Sequence, residues 1–375
     1  MAGSRGTGAG PARRTGAARV LVVSGSVGAG HDGAARELAA RLTAAGAVAE
    51  VRDYLAAVPR PLAYLLGEGY LGTVERIPGA FEFLYGQLER KGLFWRVEAA
   101  LLGRGVAGIA RWVDELDPDV VVGVYPPAVQ TLGMMRASGR LAVPVLSYLT
   151  DPAAHVSWLH PAVDVHGTVT DATARQAAED YGVTCTVAGP LVPERFAVRP
   201  EPDRLAALRT ELDLPDGAPV VLLGGGSLGL GDVGPTARLL TAAGATAVVL
   251  CARNEALRRS LEGVRGVVAL GWRTDVHELL HVADVLVQNA GGLSLTEALV
   301  AGLPAISYRP IPGHGRANAA VLDAAGMTPW ARTPEQLGEL VHAAVGRDRR
   351  PPDLPDPTDL VLSMAGARTD SERAA

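Results

Sequence analysis

The stretch SGSVGAGHDGAA, Ser24 to Ala35, brings one imidazole, His31, to the end of a glycine-rich loop where an alanine-rich helix must begin. A helix N-terminus carries partial positive charge, which disfavours imidazolium and keeps such a histidine neutral and able to accept a proton. The same stretch contains Gly28-x-Gly30-x-x-Gly33, the spacing of a dinucleotide-binding turn, with Glu50 and Asp53 at about the ~20-residue distance of a ribose-binding acid. The apolar run RVLVVS ends at Ser24, four residues before the first of these glycines. The glycines therefore cannot form the immediate strand-to-helix turn, and an NAD-dependent dehydrogenase is the weakest reading.

The second half of the chain is rich in groups suited to an anion and a sugar. LLGGGSLGLGD places Gly225, Gly226 and Ser227 after an apolar run, offering unhindered amides and a hydroxyl to a diphosphate. QNAGGLSLTEALVAGLPAI (288–306) reads as a strand ending at Asn289, a turn at Gly291 and Gly292, a helix capped by Ser294, and Glu297 in the first turn. Glu297 either takes a pair of ribose hydroxyls or closes a capping box onto Ser294. RPIPGHGRAN (309–318) adds a turn dense in His314, Arg316 and Asn318, polar groups suited to sugar hydroxyls. HELLH (277–281) has the spacing of a zinc-protease helix, but a strand and a double glycine separate it from Glu297, so it reads as a short amphipathic connector. DPD (117–119) reads as the turn into VVVGVY rather than a metal-binding triplet.

Positioning these groups requires two lobes. Short β-branched runs alternate with helical stretches from RVLVVS to PVLSYLT, and the alternation restarts at PVVLLGGGSL and runs to PAISYRP. That is the pattern of parallel βαβ units, and it predicts an α/β chain with two doubly wound, Rossmann-like domains facing a central cleft. We expect a disordered tail over 1–18, an N-terminal domain over 19–190, a proline-rich linker over 191–204, and a C-terminal domain over 205–350. A tail over 351–375 carries one apolar piece, DLVLSMA, suited to packing back on the first lobe. Between 54 and 112 apolar and aromatic residues recur at helical spacing and interrupt the alternation, which predicts helices with a partly exposed apolar groove.

With 375 residues, 48% hydrophobic and 20% charged, the chain can bury two cores. A formal net charge of -5 gives no general reason to bind nucleic acid. Cys185 and Cys251 lie in separate halves without metal-ligand spacing, which fits a reducing cytoplasm. No run reaches the roughly 18 apolar residues of a membrane span, so any membrane contact is expected to be peripheral, at the inner face.

Three blocks then point to a family. SGSVGAGHDGAARELA, the run YLTDPAAHVSWLHPAVDVHGTVTDATARQAAEDYGVTCTVAGPLVPERF (148–196), and NAGGLSLTEALVAGLPAISYRPIPGHGRAN resemble the monogalactosyldiacylglycerol synthase and processive diacylglycerol glucosyltransferase family. These are GT-B type sugar transferases, related to lipid-linked glucosaminyltransferases. The resemblance implies a UDP-sugar bound by the second lobe, a lipid or other apolar acceptor bound by the first, and inverting hexosyl transfer with His31 as general base and no metal or other cofactor. By the same resemblance Gly225, Gly226, Ser227, Arg253, Gly271, Trp272, Asn289, Gly291, Gly292, Ser294, Glu297, Gly313, His314, Gly315 and Asn318 hold the donor. Gly28, Gly30, Asp151, His155 and Trp158 lie on the acceptor side. The sugar and the acceptor stay open, a secondary metabolite included. A non-hydrolysing UDP-sugar 2-epimerase and a non-catalytic carbohydrate-binding protein are the other readings.

Overall fold

A computed structural model describes residues 16–70, 72–73, 78–90, 92–227 and 229–374. Residues 1–15, most of the expected N-terminal tail, lie outside the described residues. Two six-stranded sheets follow one another along the chain, and every strand pairing in both is parallel. The first has the order β2 (Val48–Asp53), β1 (Arg19–Ser24), β3 (Val120–Gly123), β4 (Val145–Leu149), β5 (Val165–Thr168), β6 (Thr186–Val187); the second has β12 (Trp330–Ala331), β11 (Ala305–Tyr308), β10 (Val285–Gln288), β7 (Val220–Gly224), β8 (Thr246–Leu250), β9 (Val267–Leu270).

The central strands are apolar runs because helices cover both of their faces. Val20, Leu21, Val22 and Val23 of β1 (Arg19–Ser24) and Val120, Val121 and Val122 of β3 (Val120–Gly123) are all fully buried. Their alternating side chains feed two separate cores, one on each side of the sheet. The second lobe repeats this around β7 (Val220–Gly224) and β10 (Val285–Gln288).

The strand order reverses between β1 and β3 in one sheet and between β7 and β10 in the other. Loops leaving the C-terminal ends of strands diverge at such a point, and ligands bind in the crevice between them. Each glycine-rich stretch picked out by sequence lies at one of these reversals: Gly25 to Gly28 after β1, Gly225 to Gly231 after β7, and Ala290 to Gly292 after β10.

One expectation needs adjustment. The prolines of 191–204 do not exclude helix: Glu194–Phe196 forms a 3-10 turn, and a helix over Pro202–Glu211 begins inside that span with Pro202 in its first turn, where no intrahelical N–H is needed. Val192 and Phe196 are packed into a core of the second lobe. At the other end the helix Pro357–Ala374 buries Val361, Met364 and Ala365 in the first lobe's core beside Leu38 and Leu42. The segment 54–112 forms mainly helices, and Leu93 (74% exposed), Phe83 (58%) and Phe94 (47%) stand out from it.

Candidate active site

One wall of the cleft is built on the loop after β1. Gly28, with φ 82°, ends that loop as the N-cap of the helix Ala29–Ala44, a backbone conformation that glycine adopts without strain. No side chain caps this helix. Asp32 in its first turn instead accepts from Ser24 Oγ at 2.6 Å and Ser26 Oγ at 3.3 Å, folding the loop back on the strand. Gly25 makes room for Tyr125: a Cβ there would stand 2.4 Å from the ring. That ring lies edge-on to His31, with centroids 5.3 Å apart, and the Trp158 ring stands 5.8 Å from the same imidazole.

His31 is the third residue of the helix. Its Nδ1 is 3.1 Å from Thr150 Oγ1. Burial lowers its pKa below the ordinary 6.5, opposed by the nearby Asp151 carboxylate and a hydrogen bond to the Val124 main chain. The imidazole is therefore neutral at pH 7, in the state a proton acceptor needs. Asp151, just beyond β4 (Val145–Leu149), is oriented by Trp158, whose Nε1 donates to Oδ2 at 3.0 Å.

The opposite wall comes from the second lobe, and the two touch: the Ala29 amide donates to Ser227 Oγ at 3.2 Å. The cavity between them, about 320 Å³, is lined by Gly28, Gly30, His31, Thr150 and Asp151 from one side. Gly225, Gly226, Ser227, Gly271, Trp272, Gly291, Gly292, Ser294, Glu297 and His314 line it from the other. Trp272 is 54% exposed, with the Arg253 guanidinium over its ring at 4.9 Å. Arg253 thus supports Trp272 rather than lining the cavity. His314, at the start of the helix His314–Ala324, has its pKa lowered by burial, with Asp151 opposing.

The helix Leu293–Val300 begins with Gly292 as its N-cap and no side-chain cap; the Leu295 amide donates to the Gly292 carbonyl at 3.0 Å, while no side chain takes the amides of Leu293 and Ser294, and Gly292, Leu293 and Ser294 line the cavity. This corrects the expectation of Ser294 as the cap: the double glycine lets the helix start a turn-edge earlier, and Ser294 becomes its second residue. Glu297 consequently closes no capping box. It lines the cavity half-buried, and burial raises its pKa to about 7, with Arg195 opposing.

Several expected site residues do not line this cavity and make their contacts within the frame. Asn289 is buried and donates from Nδ2 to the Leu230 carbonyl at 2.7 Å, bracing the β7 loop against β10. Gly313 caps its helix, and Gly315 is packed under Ile311 and the Asn289 carbonyl, so neither lines the cavity. Asn318, 1% exposed, ties the lobes together: Oδ1 accepts from Ala153 N at 2.9 Å, while Nδ2 donates to the Ala290 carbonyl at 2.9 Å and approaches Asp151 Oδ1 at 3.4 Å. His155 is buried with Tyr85 stacked on it at 3.9 Å. Its Nδ1 accepts from Ser157 N at 3.2 Å and its Nε2 donates to the Tyr85 carbonyl at 3.3 Å, which occupies both ring nitrogens away from the cleft. In HELLH, His281 donates to the Phe196 carbonyl at 3.3 Å and His277 packs edge-on to the Phe196 ring, which makes this helix the anchor of the linker.

Four residues that the sequence reading did not single out complete the site. Thr150 and Tyr125 flank His31, and Tyr70 lines the cavity beside them. Gln288 accepts from the amides of Ala290 at 2.8 Å and Gly291 at 2.5 Å, so it shapes the double-glycine turn and consumes the Gly291 N–H. Thr150 immediately precedes Asp151 and Gln288 immediately precedes Asn289, so adjacency to a polar strand end was the available signal.

Two parallel doubly wound sheets whose loop-bearing reversal points face one another across a cleft define the GT-B class of glycosyltransferase folds. More particularly, residues 31–188 match the family model described as monogalactosyldiacylglycerol (MGDG) synthase, and the resemblance read from the sequence is borne out. Among curated proteins, the processive diacylglycerol beta-glucosyltransferase of Bacillus licheniformis is 26% identical over 244 residues, 64% of this chain and 63% of that protein. Its Bacillus subtilis counterpart is 27% identical over 61% of each chain. The chain thus spans less than two thirds of the length of these relatives. Among solved structures, Acinetobacter baumannii MurG aligns with a TM-score of 0.53 at 17% identity, over 94% of this chain and 95% of that one. Anabaena Alr3699/HepE, solved with UDP-glucose, aligns with a TM-score of 0.53 at 14% identity, over 95% and 94%. At these identities the structural likeness speaks to the fold.

Proposed function

We propose that this protein transfers a hexose from a UDP-sugar to a hydroxyl of a diacylglycerol-like lipid or other apolar acceptor, inverting the anomeric carbon. The observation that carries the reading is a neutral imidazole on one wall of the cavity and an uncapped helix N-terminus on the other. In that arrangement the acceptor oxygen attacks the anomeric carbon while the bond to the diphosphate oxygen breaks, and the acceptor proton passes to His31. In the tautomer that donates Nδ1–H to Thr150 Oγ1, the lone pair lies on Nε2, and that nitrogen takes the proton. Negative charge gathers on the leaving UDP, where the amides at the start of Leu293–Val300 and the Gly226–Ser227 loop meet it. Glu297 takes the ribose hydroxyls and Trp272 faces the uracil.

The lipid acceptor rests on the names of the curated relatives and on the apolar face of the first lobe. Phe83 and Phe94 meet edge-to-face at 6.4 Å beside Leu93, an exposed surface suited to peripheral contact with a membrane. No helix among the described residues is long and apolar enough to cross one. The test is a panel of UDP-sugars screened by thermal shift, followed by incubation of the stabilising donor with diacylglycerol. A glycosylated lipid and free UDP are expected. An isomerised UDP-sugar formed without any acceptor would mean an epimerase instead.

A further inference from the structure

A second cavity, about 330 Å³, lies in the C-terminal lobe and shares no lining residue with the first. It opens between the helix Pro202–Glu211, the end of the helix Pro334–Ala344, and the turn after the helix Val276–Val282. Arg199, Arg209, Arg347 and Arg349 surround it, and Asp284 is the one carboxylate in its described wall. Asp284 accepts from Val220 N at 2.8 Å, and its charge partly offsets that of Arg349.

What orients Arg209, Arg347 and Arg349 is main chain, not acid. Arg349 donates from Nη1 to the Leu280 carbonyl at 2.8 Å and from Nη2 to the carbonyls of His281, at 3.3 Å, and Ala283. Arg347 Nε donates to the Ala343 carbonyl at 2.9 Å, and Arg209 Nη2 to the Pro215 carbonyl at 3.1 Å. Carbonyls aim a guanidinium without neutralising it. The carboxylate nearest Arg209, Asp216 at 3.9 Å, is fully exposed and contributes little. Arg199 makes no hydrogen bond among the described residues and stands close enough to Arg349 for the two charges to repel. Four guanidiniums facing a single carboxylate around one concavity leave an excess of positive charge, complementary to a compact, multiply charged oxyanion, which each planar fork can grip through two oxygens.

We propose that this cavity binds a phosphate group, held by Arg199, Arg209, Arg347 and Arg349. Both covalent crossings between the lobes pass here. Arg199 lies on the outgoing one, and Arg347 and Arg349 lie on the segment returning to the helix Pro357–Ala374 on the first lobe. A phosphate bridging Arg199 to Arg347 ties the two crossings together and restrains the lobes against each other. This site is independent of the sugar-transfer reading and stands or falls without it.

The experiment is calorimetric titration of the full chain with inorganic phosphate at an ionic strength matched with chloride, repeated on the double variant Arg199→Ala/Arg347→Ala. Both side chains are exposed, so the variant should fold, which its far-UV spectrum and unfolding midpoint check. Phosphate should bind the native chain and bind the variant at least about tenfold more weakly, since each charge-assisted contact is worth about that much. Equal affinity in both proteins, which would place the phosphate elsewhere, overturns the proposal, as does no binding above the chloride control. Co-sedimentation with vesicles of phosphatidic acid in phosphatidylcholine, against phosphatidylcholine alone, separates the sources. Retention that the double variant loses assigns the phosphate to a lipid headgroup, whereas calorimetric binding without retention assigns it to a soluble ligand.

Discussion

Thr150 Oγ1 stands 3.1 Å from Nδ1 of His31, at the end of a strand whose neighbour in the sheet, β3, leads into Tyr125 against the same imidazole. The hydroxyl holds one ring nitrogen in place and so sets the tilt of the ring. Thr150→Val keeps the shape and removes that hydrogen bond. Turnover should fall about tenfold with the unfolding midpoint nearly unchanged, because a misaligned base costs rate rather than stability. Steady-state kinetics beside a melting curve read both, and an unchanged kcat would mean that Thr150 does not position the ring.

Glu297 titrates where it can be observed. Its carboxyl is raised to about 7 by burial, so it is mostly neutral at pH 6 and mostly ionised at pH 8. A carboxylate accepts from a ribose diol better than the neutral acid does, so UDP-glucose should bind about tenfold more tightly at pH 8 than at pH 6. The diphosphate of UDP-glucose does not change its charge across that range. Glu297→Gln should bind more weakly and show no such slope. A slope that survives the substitution would move the effect to another group.

Asn318 is the polar clasp between the lobes. Asn318→Ala would leave the Ala153 amide and the Ala290 carbonyl buried without their partner. The cost should be about 3 kcal/mol, read as a lower denaturant midpoint. A loss under about 0.5 kcal/mol would show that the lobes are held by other contacts.

The fold and the site were legible to different depths. Parallel strands buried on both faces read directly as runs such as VLVV and VVV, and the glycine clusters marked both reversal points. The Gly28-x-Gly30-x-x-Gly33 spacing was legible, but its reason was not. Gly28 is needed as a left-handed cap, and at Gly33 a Cβ would come within 2.8 Å of Leu293 from the other lobe. A contact between residues so far apart in the chain leaves no periodic trace. The same limit explains Asn289, His155 and Asn318. Their polar side chains look the same in a sequence whether they face a ligand or a neighbouring backbone group. Where a helix begins at a double glycine, Gly292 or Ser294, depends on local dihedrals that residue preferences describe only to within a position or two.

His166 should govern part of the acid limit of stability. Burial lowers its folded-state pKa to about 4, with His160 adding to the shift, and its Nε2 accepts from the His160 amide at 3.3 Å. The unfolded chain, with a histidine near 6.5, therefore binds more protons across that window. Stability on this account is complete above about pH 6.5, falls as the pH drops below it, and levels off under about 4. The loss should reach about 3 kcal/mol. Denaturant unfolding of the native chain and His166→Gln from pH 7 to pH 4 should show a shallower decline in the variant. Parallel curves would assign the acid sensitivity elsewhere.

The most direct measurement is kcat for His31→Ala at saturating donor and acceptor, with the dissociation constant for the UDP-sugar determined on the same preparation. A group that acts only by accepting the acceptor's proton should, when removed, lower kcat by about 100-fold or more and leave donor affinity within about twofold. Turnover within about threefold of the native protein, with the donor still bound, would contradict the assignment of His31 as the base.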